Sequence, residues 1–264
     1  MVSRVRFTPN CNAVKEYKKS IHDVLTMMDS HSQVSDLDRF YALLGRLRET
    51  QGGYRTLAGS TGHDGWPARG VYFFFEPGEF RAGGESLRVV RVGTHAVAKG
   101  TNTTLWSRLR THRGTRKLTG NHRGSVFRKL VGYALINTKR FPPEATVHWG
   151  IGNSAPRETR LKERVVEWDV SVYLGAIPFL VLAADDEPGP ASLRGYIERN
   201  SIGLLSTAGL EADPPSPGWL GHACPAPVVR ASGLWNVNHV DEAYDPAFLD
   251  RLEALVNANG EPHD

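Results

Sequence analysis

The chain has 264 residues, 40% of them hydrophobic, enough to bury one sizeable core, and nothing in it reads as a repeat or a low-complexity tract. Lys and Arg number 32 against 28 Asp and Glu, a net charge of +4; the two cysteines, Cys11 and Cys224, offer neither a disulfide framework nor the paired spacing of a zinc site. The opening Met1-Val2-Ser3-Arg4 lacks an apolar signal stretch and no run of about eighteen apolar residues occurs, so the expectation is a single domain over 1–264, in a reducing cytoplasm and away from membranes.

Ser35-Asp36-Leu37-Asp38 reads as a helix start with Ser35 as N-cap, feeding Leu37, Phe40, Tyr41, Leu44 and Leu47 at helical spacing. Residues 1–66 are therefore expected to form an N-terminal helical extension, closed by the glycine-rich turn stretch from Gly52 to Pro67. Two apolar strands follow, Gly70-Val71-Tyr72-Phe73-Phe74-Phe75 and Val89-Val90-Arg91-Val92-Gly93-Thr94. Glu76-Pro77-Gly78-Glu79 and Gly83-Gly84 are expected to join them as an antiparallel hairpin. Asn102 or Thr103 is placed to cap the next helix, on which Leu105 and Leu109 face inward while Arg108 and His112 lie one turn apart on a neighbouring face.

From Ser86 to Pro143 there is no Asp or Glu, but there are thirteen Lys and Arg. Solvated faces normally mix both signs, so an acid-free run of this length predicts a polyanionic partner. A basic insertion over about 113–155, partly helical around Val126 to Leu135, is expected to lie against nucleic acid through Arg110, Arg113, Arg116, Lys117, Arg123, Arg128 and Lys129. One long helix is expected from Pro156 to Tyr173 with Leu161, Val165, Trp168 and Val172 on its apolar stripe, then a central strand Phe179 to Ala184. After the turn Asp185 to Pro190 comes a helix with Leu193, Ile197 and Leu204 inward and Glu198 toward the site, and Phe248, Leu249, Leu252, Leu255 and Val256 form a helical pattern near the C-terminus.

Other constellations fail on spacing. Lys99-Gly100-Thr101 has the wrong order for a phosphate-binding loop, His222 with Cys224 and His239 with Asp241 are isolated donor pairs, and Ser60 and Ser154 lack a nucleophile elbow. His95 reads as a loop histidine.

The succession strand, strand, helix, helix, strand, helix, with Gly70-Val71-Tyr72, Arg91-Val92-Gly93, Arg108, His112 and Glu198 in that order, resembles the GIY-YIG nucleases over roughly Gly70 to Ile202, with a reach to Asn236. The arginine and histidine four residues apart bring it nearest to the restriction-enzyme branch. The resemblance implies an α/β (α+β) fold, a small three-stranded antiparallel sheet flanked by helices, with the core at 67–205 and a C-terminal extension at 206–264. It implies a metal-dependent endonuclease acting on DNA, in which Tyr72 orients or deprotonates the attacking water, Arg108 grips the scissile phosphate, His112 supports that arginine or takes a proton from water, and Glu198 holds Mg2+ or Mn2+. Arg91, standing where the family has an aromatic hydroxyl, Gly93 and Asn236 are the supporting residues. Asn236 takes the place of the family asparagine across the Asp213 to Pro217 insertion. The alternative is a nucleic-acid-binding module that kept the scaffold and lost the chemistry; a partner-binding protein with a basic surface ranks third.

Overall fold

The computed structural model describes residues 34–82, 84–206 and 213–260. Cys11 and Gly83 lie outside them. In chain order the elements are helix α1 (34–50), β1 (Arg55–Thr56), β2 (Gly70–Phe80), β3 (Leu87–Gly93), α2 (Leu105–Arg113), α3 (Val126–Thr138), α4 (Pro143–Thr146), α5 (Arg157–Lys162), α6 (Arg164–Ala176), β4 (Pro178–Ala183), α7 (Leu193–Leu205), α8 (Pro227–Ser232) and α9 (Phe248–Gly260), with short 3-10 turns at His122–Gly124 and Leu220–Ala223.

Four antiparallel strands pair in the order β1-β4-β2-β3. The α/β class is as expected, and the fourth strand is the two-residue β1, which lies in the stretch read as turns. Because strand side chains alternate, the apolar β2 serves two cores at once. Tyr72 and Phe74 join α2, α3 and α6 on one face, while Val71, Phe73 and Phe75 join α1, α7 and α9 on the other. The two chain extensions therefore close the second face together. Arg39 of α1 reaches Asp250 and Glu253 of α9, both at 2.7 Å.

Several boundaries differ from those read in the sequence. Val34 is already helical, so Ser35 is not the cap of α1, and Thr104 rather than Asn102 or Thr103 caps α2 by accepting from the Ser107 amide. β2 runs on through Glu76-Pro77-Gly78-Glu79 with register shifts, and the hairpin closes later, where the Arg81 amide donates to the Ser86 carbonyl. The expected long helix breaks at Glu163, and its stripe is the outer one: Leu161, Val165, Trp168 and Val172 are 49, 43, 50 and 43% exposed, while Val166, Glu167, Val170, Ser171 and Leu174 face inward.

β3 is a sheet edge, which would leave a row of backbone groups unpaired. Residues 234–236 cover it. The Trp235 amide donates to the Val90 carbonyl at 2.8 Å, and the Asn236 side chain brackets Val92, accepting from its amide at 3.1 Å and donating to its carbonyl at 2.8 Å. No helix among the described residues is long and apolar enough to cross a membrane.

Candidate active site

The site grows from one cross-strand pair. Tyr72 of β2 stands opposite Gly93 at the end of β3, and a Cβ at position 93 would come within 2.4 Å of the tyrosyl oxygen. Only glycine leaves the ring its place. The tyrosine is fully buried, and its hydroxyl meets Nε2 of His112 at 2.9 Å.

His112 comes from the last turn of α2, and its other ring nitrogen, Nδ1, lies 2.8 Å from the Ser125 hydroxyl. Ser125 is held by its own task, capping α3 through the Arg128 amide. Burial first, then the charges of Arg108, Arg91 and Arg128, push the pKa of His112 well below the usual imidazole value. His112 is therefore neutral at physiological pH. The Tyr72 hydroxyl, the His112 ring and the Ser125 hydroxyl thus form a buried chain of hydrogen bonds that runs from β2 through α2 to the cap of α3.

Arg91 is buried, stacks 4.9 Å over Phe127 and donates to the Trp235 carbonyl at 2.5 Å. Burial lowers its pKa, the charge of Arg108 adding to that and the charge of Glu198 opposing it. Arg108 is half-buried and lines a cavity of about 310 Å³ with Thr94, His95, Ser107 and Thr111. Glu198, on α7, accepts from the Thr94 amide at 3.2 Å and lines a second cavity of about 840 Å³. Thr94 thus lines the first hollow and is bonded to a residue that lines the second. Burial raises the Glu198 pKa, against the charge of Arg91, the Thr94 amide and the charges of His239 and Arg108. Tyr72, Arg91, Arg108, His112 and Glu198 therefore meet at one end of the sheet, although Tyr72 and Glu198 belong to opposite faces.

A family model described as a GIY-YIG domain matches residues 31–262. The chain belongs to the GIY-YIG family. Comparisons with curated proteins and with solved structures returned no match. The matched span takes in both helical extensions, α1 and α9, well beyond the stretch from Gly70 to Ile202 that carries the sequence resemblance; GIY-YIG domains are typically those of endonucleases, and membership implies nucleic-acid binding.

The GIY-YIG core also decides what the basic run does. Arg128 is fully buried and Arg123 has a buried guanidinium; they pair with Glu167 and Glu163, so neither is a surface contact for nucleic acid. Arg88 pairs with Glu79 and Lys139 with Asp169 in the same way. The acids come from outside the acid-free stretch, where a linear reading does not see them. Arg110, Arg113, Arg116, Lys117 and Lys129 make no ion pair among the described residues. The segment read as an insertion supplies core: Phe127, Leu130, Val131 and Ala134 of α3 pack against α6.

Three residues beside the candidate site's side chains were not legible as such. Ser125 looks like an ordinary cap; His239, in a left-handed conformation with φ 64°, lines the Glu198 cavity and pairs with Glu242 rather than Asp241. His95 borders the Arg108 cavity. Its signal was its place two residues past the strand glycine. Asn236 lies against β3, with both ends of its amide engaged by Val92.

Proposed function

We propose that this GIY-YIG chain is a metal-dependent endonuclease that hydrolyses phosphodiester bonds in DNA. The observation that carries the reading is the junction at Thr94: the backbone that leaves Gly93, against which Tyr72 rests, is bonded to the Glu198 carboxylate and borders the Arg108 cavity. A guanidinium and a carboxylate that line two cavities linked through Thr94, with a buried tyrosine–histidine pair at the same strand ends, suit phosphoryl transfer, where the protein's task is positioning and charge neutralisation. Arg108 would hold two phosphate oxygens at once through its planar fork. Tyr72 and His112, both buried and bonded to each other, would brace the strand ends and the Arg108 helix from beneath.

The donor set fits Mg2+ or Mn2+. Among the described residues no group of three or more His, Cys, Asp or Glu is able to hold a metal, and Glu198 alone, with waters and a substrate phosphate, is the kind of ligand set magnesium accepts. When bound there, the ion would neutralise phosphate charge as a Lewis acid. Supercoiled plasmid incubated with the protein and Mg2+ or Mn2+ is expected to become nicked or linear, and a chelator is expected to stop it. Intact plasmid under every condition, with a clear mobility shift, would instead establish the binding-module reading, which the substitution of Arg91 for an aromatic favours.

The DNA path follows from three hollows that share walls. The Arg108 cavity shares Thr111 and Gly124 with a groove of about 590 Å³ that carries Arg110, Arg113 and Arg116, and this groove shares Arg113, Thr115 and Arg116 with a third hollow of about 340 Å³. No carboxylate lines any of them. Replacing Arg110 and Arg116 together by alanine is expected to reduce the slope of log affinity against log salt by about 2 for duplex DNA, one unit per lost phosphate contact. Titrations at several salt concentrations, with metal chelated, read this directly; an unchanged slope would place the DNA elsewhere.

A further inference from the structure

One polar group at the cleft has no task in the scheme above. His95 is 6% exposed, and its Nδ1 is buried without a hydrogen-bond partner among the described residues, which is uncommon enough to call for an explanation. Its Nε2 lies 3.3 Å from the Ala68 carbonyl. A carbonyl only accepts, so Nε2 carries the proton and Nδ1 is left with its lone pair. Beside the ring is the Arg108 cavity; at about 30 Å³ per water its 310 Å³ has room for a phosphoryl group and an attacking water.

The loop that carries His95 is pinned by a buried arginine. Ala96, next in the chain, has φ 51°, a left-handed conformation that a residue with a Cβ adopts at a cost. The fully buried Arg194 of α7 clamps it, donating to the His95 carbonyl at 2.6 Å and to the Ala96 carbonyl at 3.4 Å, while its own charge is met by Asp186. Burial and the charge of Arg194, then the charges of Arg108 and Arg69, draw the pKa of His95 down to about 4 against the bond to Ala68, so the ring stays unprotonated through the neutral range. Tyr72 does not fill the same role: its hydroxyl is already bonded to His112, and it does not line the Arg108 cavity as His95 does.

We propose that His95 is a catalytic base of this nuclease, its Nδ1 receiving the proton of the attacking water, with Arg194 as the residue that positions it. The inference rests on the nuclease reading. The water oxygen forms the new bond to phosphorus as its proton passes to Nδ1; the electron pair of the broken P–O bond leaves with the sugar oxygen, which takes a proton from solvent, and the imidazolium returns its proton to solvent.

The test uses the whole chain and a metal-supplemented duplex. Cleavage by the parent protein establishes the nuclease reading by itself; a parent without cleavage overturns that reading and this one with it. Given an active parent, His95→Ala and His95→Gln are both expected to lose about 10²–10⁴-fold in single-turnover rate, with duplex affinity in chelator within about twofold. Glutamine donates and accepts hydrogen bonds but is not a base, so a folded His95→Gln near the parent rate overturns the proposal, as does a loss of rate matched by a loss of affinity. Should both variants fail to fold, the parent carries the test through the ring-nitrogen resonances of His95. They are expected to show the Nε2–H tautomer and to shift when a cleavage-resistant phosphorothioate duplex is added; resonances that the duplex leaves in place overturn the assignment.

Discussion

Arg108→Ala is expected to lower the single-turnover cleavage rate by about 10²–10³-fold, the usual consequence of removing one preorganised donor to a developing oxyanion. Duplex binding measured in chelator should change far less, because Arg110, Arg113 and Arg116 line the adjoining groove and remain. No neighbour can take over. Arg91 lies close enough for the two charges to oppose each other, but its guanidinium is buried, bonded to the Trp235 carbonyl and stacked over Phe127. Arg108→Lys keeps the charge without the planar fork and is expected to fall between parent and alanine variant. The substitution has a second signature: Arg108 is among the charges that lower the pKa values of both His112 and His95, so its removal should move both upward toward the ordinary imidazole value. Histidine titration by NMR on parent and variant reads that shift. A folded Arg108→Ala cleaving at the parent rate would remove the arginine from the reaction.

What the sequence shows well is whatever depends on apolar periodicity along one element. The β2–β3 hairpin core, the interior strand β4 and the C-terminal helix α9 are visible in this way, since strands buried on both faces read as continuous apolar runs and α9 buries Phe248, Leu249, Leu252 and Val256. The order Tyr72, Arg108, His112, Glu198 is also legible, but the bond from Tyr72 to His112 is a contact across forty residues that no spacing encodes. The misread helix face has a clear cause. The buried stripe of α6 contains Glu167 and Ser171, which look like solvent positions until Arg128 and His122 arrive from α3 and the turn before it to satisfy them. Hydropathy then favours the outer stripe around Trp168. The same blindness inflated the basic surface, because the partners of Arg123 and Arg128 come forty and thirty-nine residues later in the chain.

That buried polar cluster carries the largest expected effect on stability. Arg128 has no exposure at all; it donates to Glu167 Oε2 at 3.1 Å from Nε and at 2.5 Å from a terminal nitrogen, to the Ser171 hydroxyl at 2.9 Å and to the His112 carbonyl at 2.8 Å. Glycines make the room: a Cβ at Gly120 would fall 2.0 Å from the guanidinium. Arg128→Met is expected to destabilise the fold by about 3–5 kcal/mol, because it strands the Glu167 carboxylate in an apolar setting, and the double variant Arg128→Met with Glu167→Gln should recover part of the loss. Denaturant titration of the three proteins measures both effects; a single variant within about 1 kcal/mol of the parent would mean that water reaches the carboxylate. Burial pushes the Glu167 carboxyl up, but hydrogen bonds from His122 and the charge and bonds of Arg128 outweigh it, leaving the folded pKa below the usual glutamate value. The sign follows: this contribution is complete above the unfolded pKa of about 4.3 and is lost as pH falls through the folded one. The parent should therefore lose stability steeply on acidification in that window, and the double variant less so. The cluster also grips the carbonyl of His112, the residue that holds Tyr72. A fold loosened at Arg128 should thus lose cleavage before it loses structure, as the imidazole drifts from the tyrosyl hydroxyl.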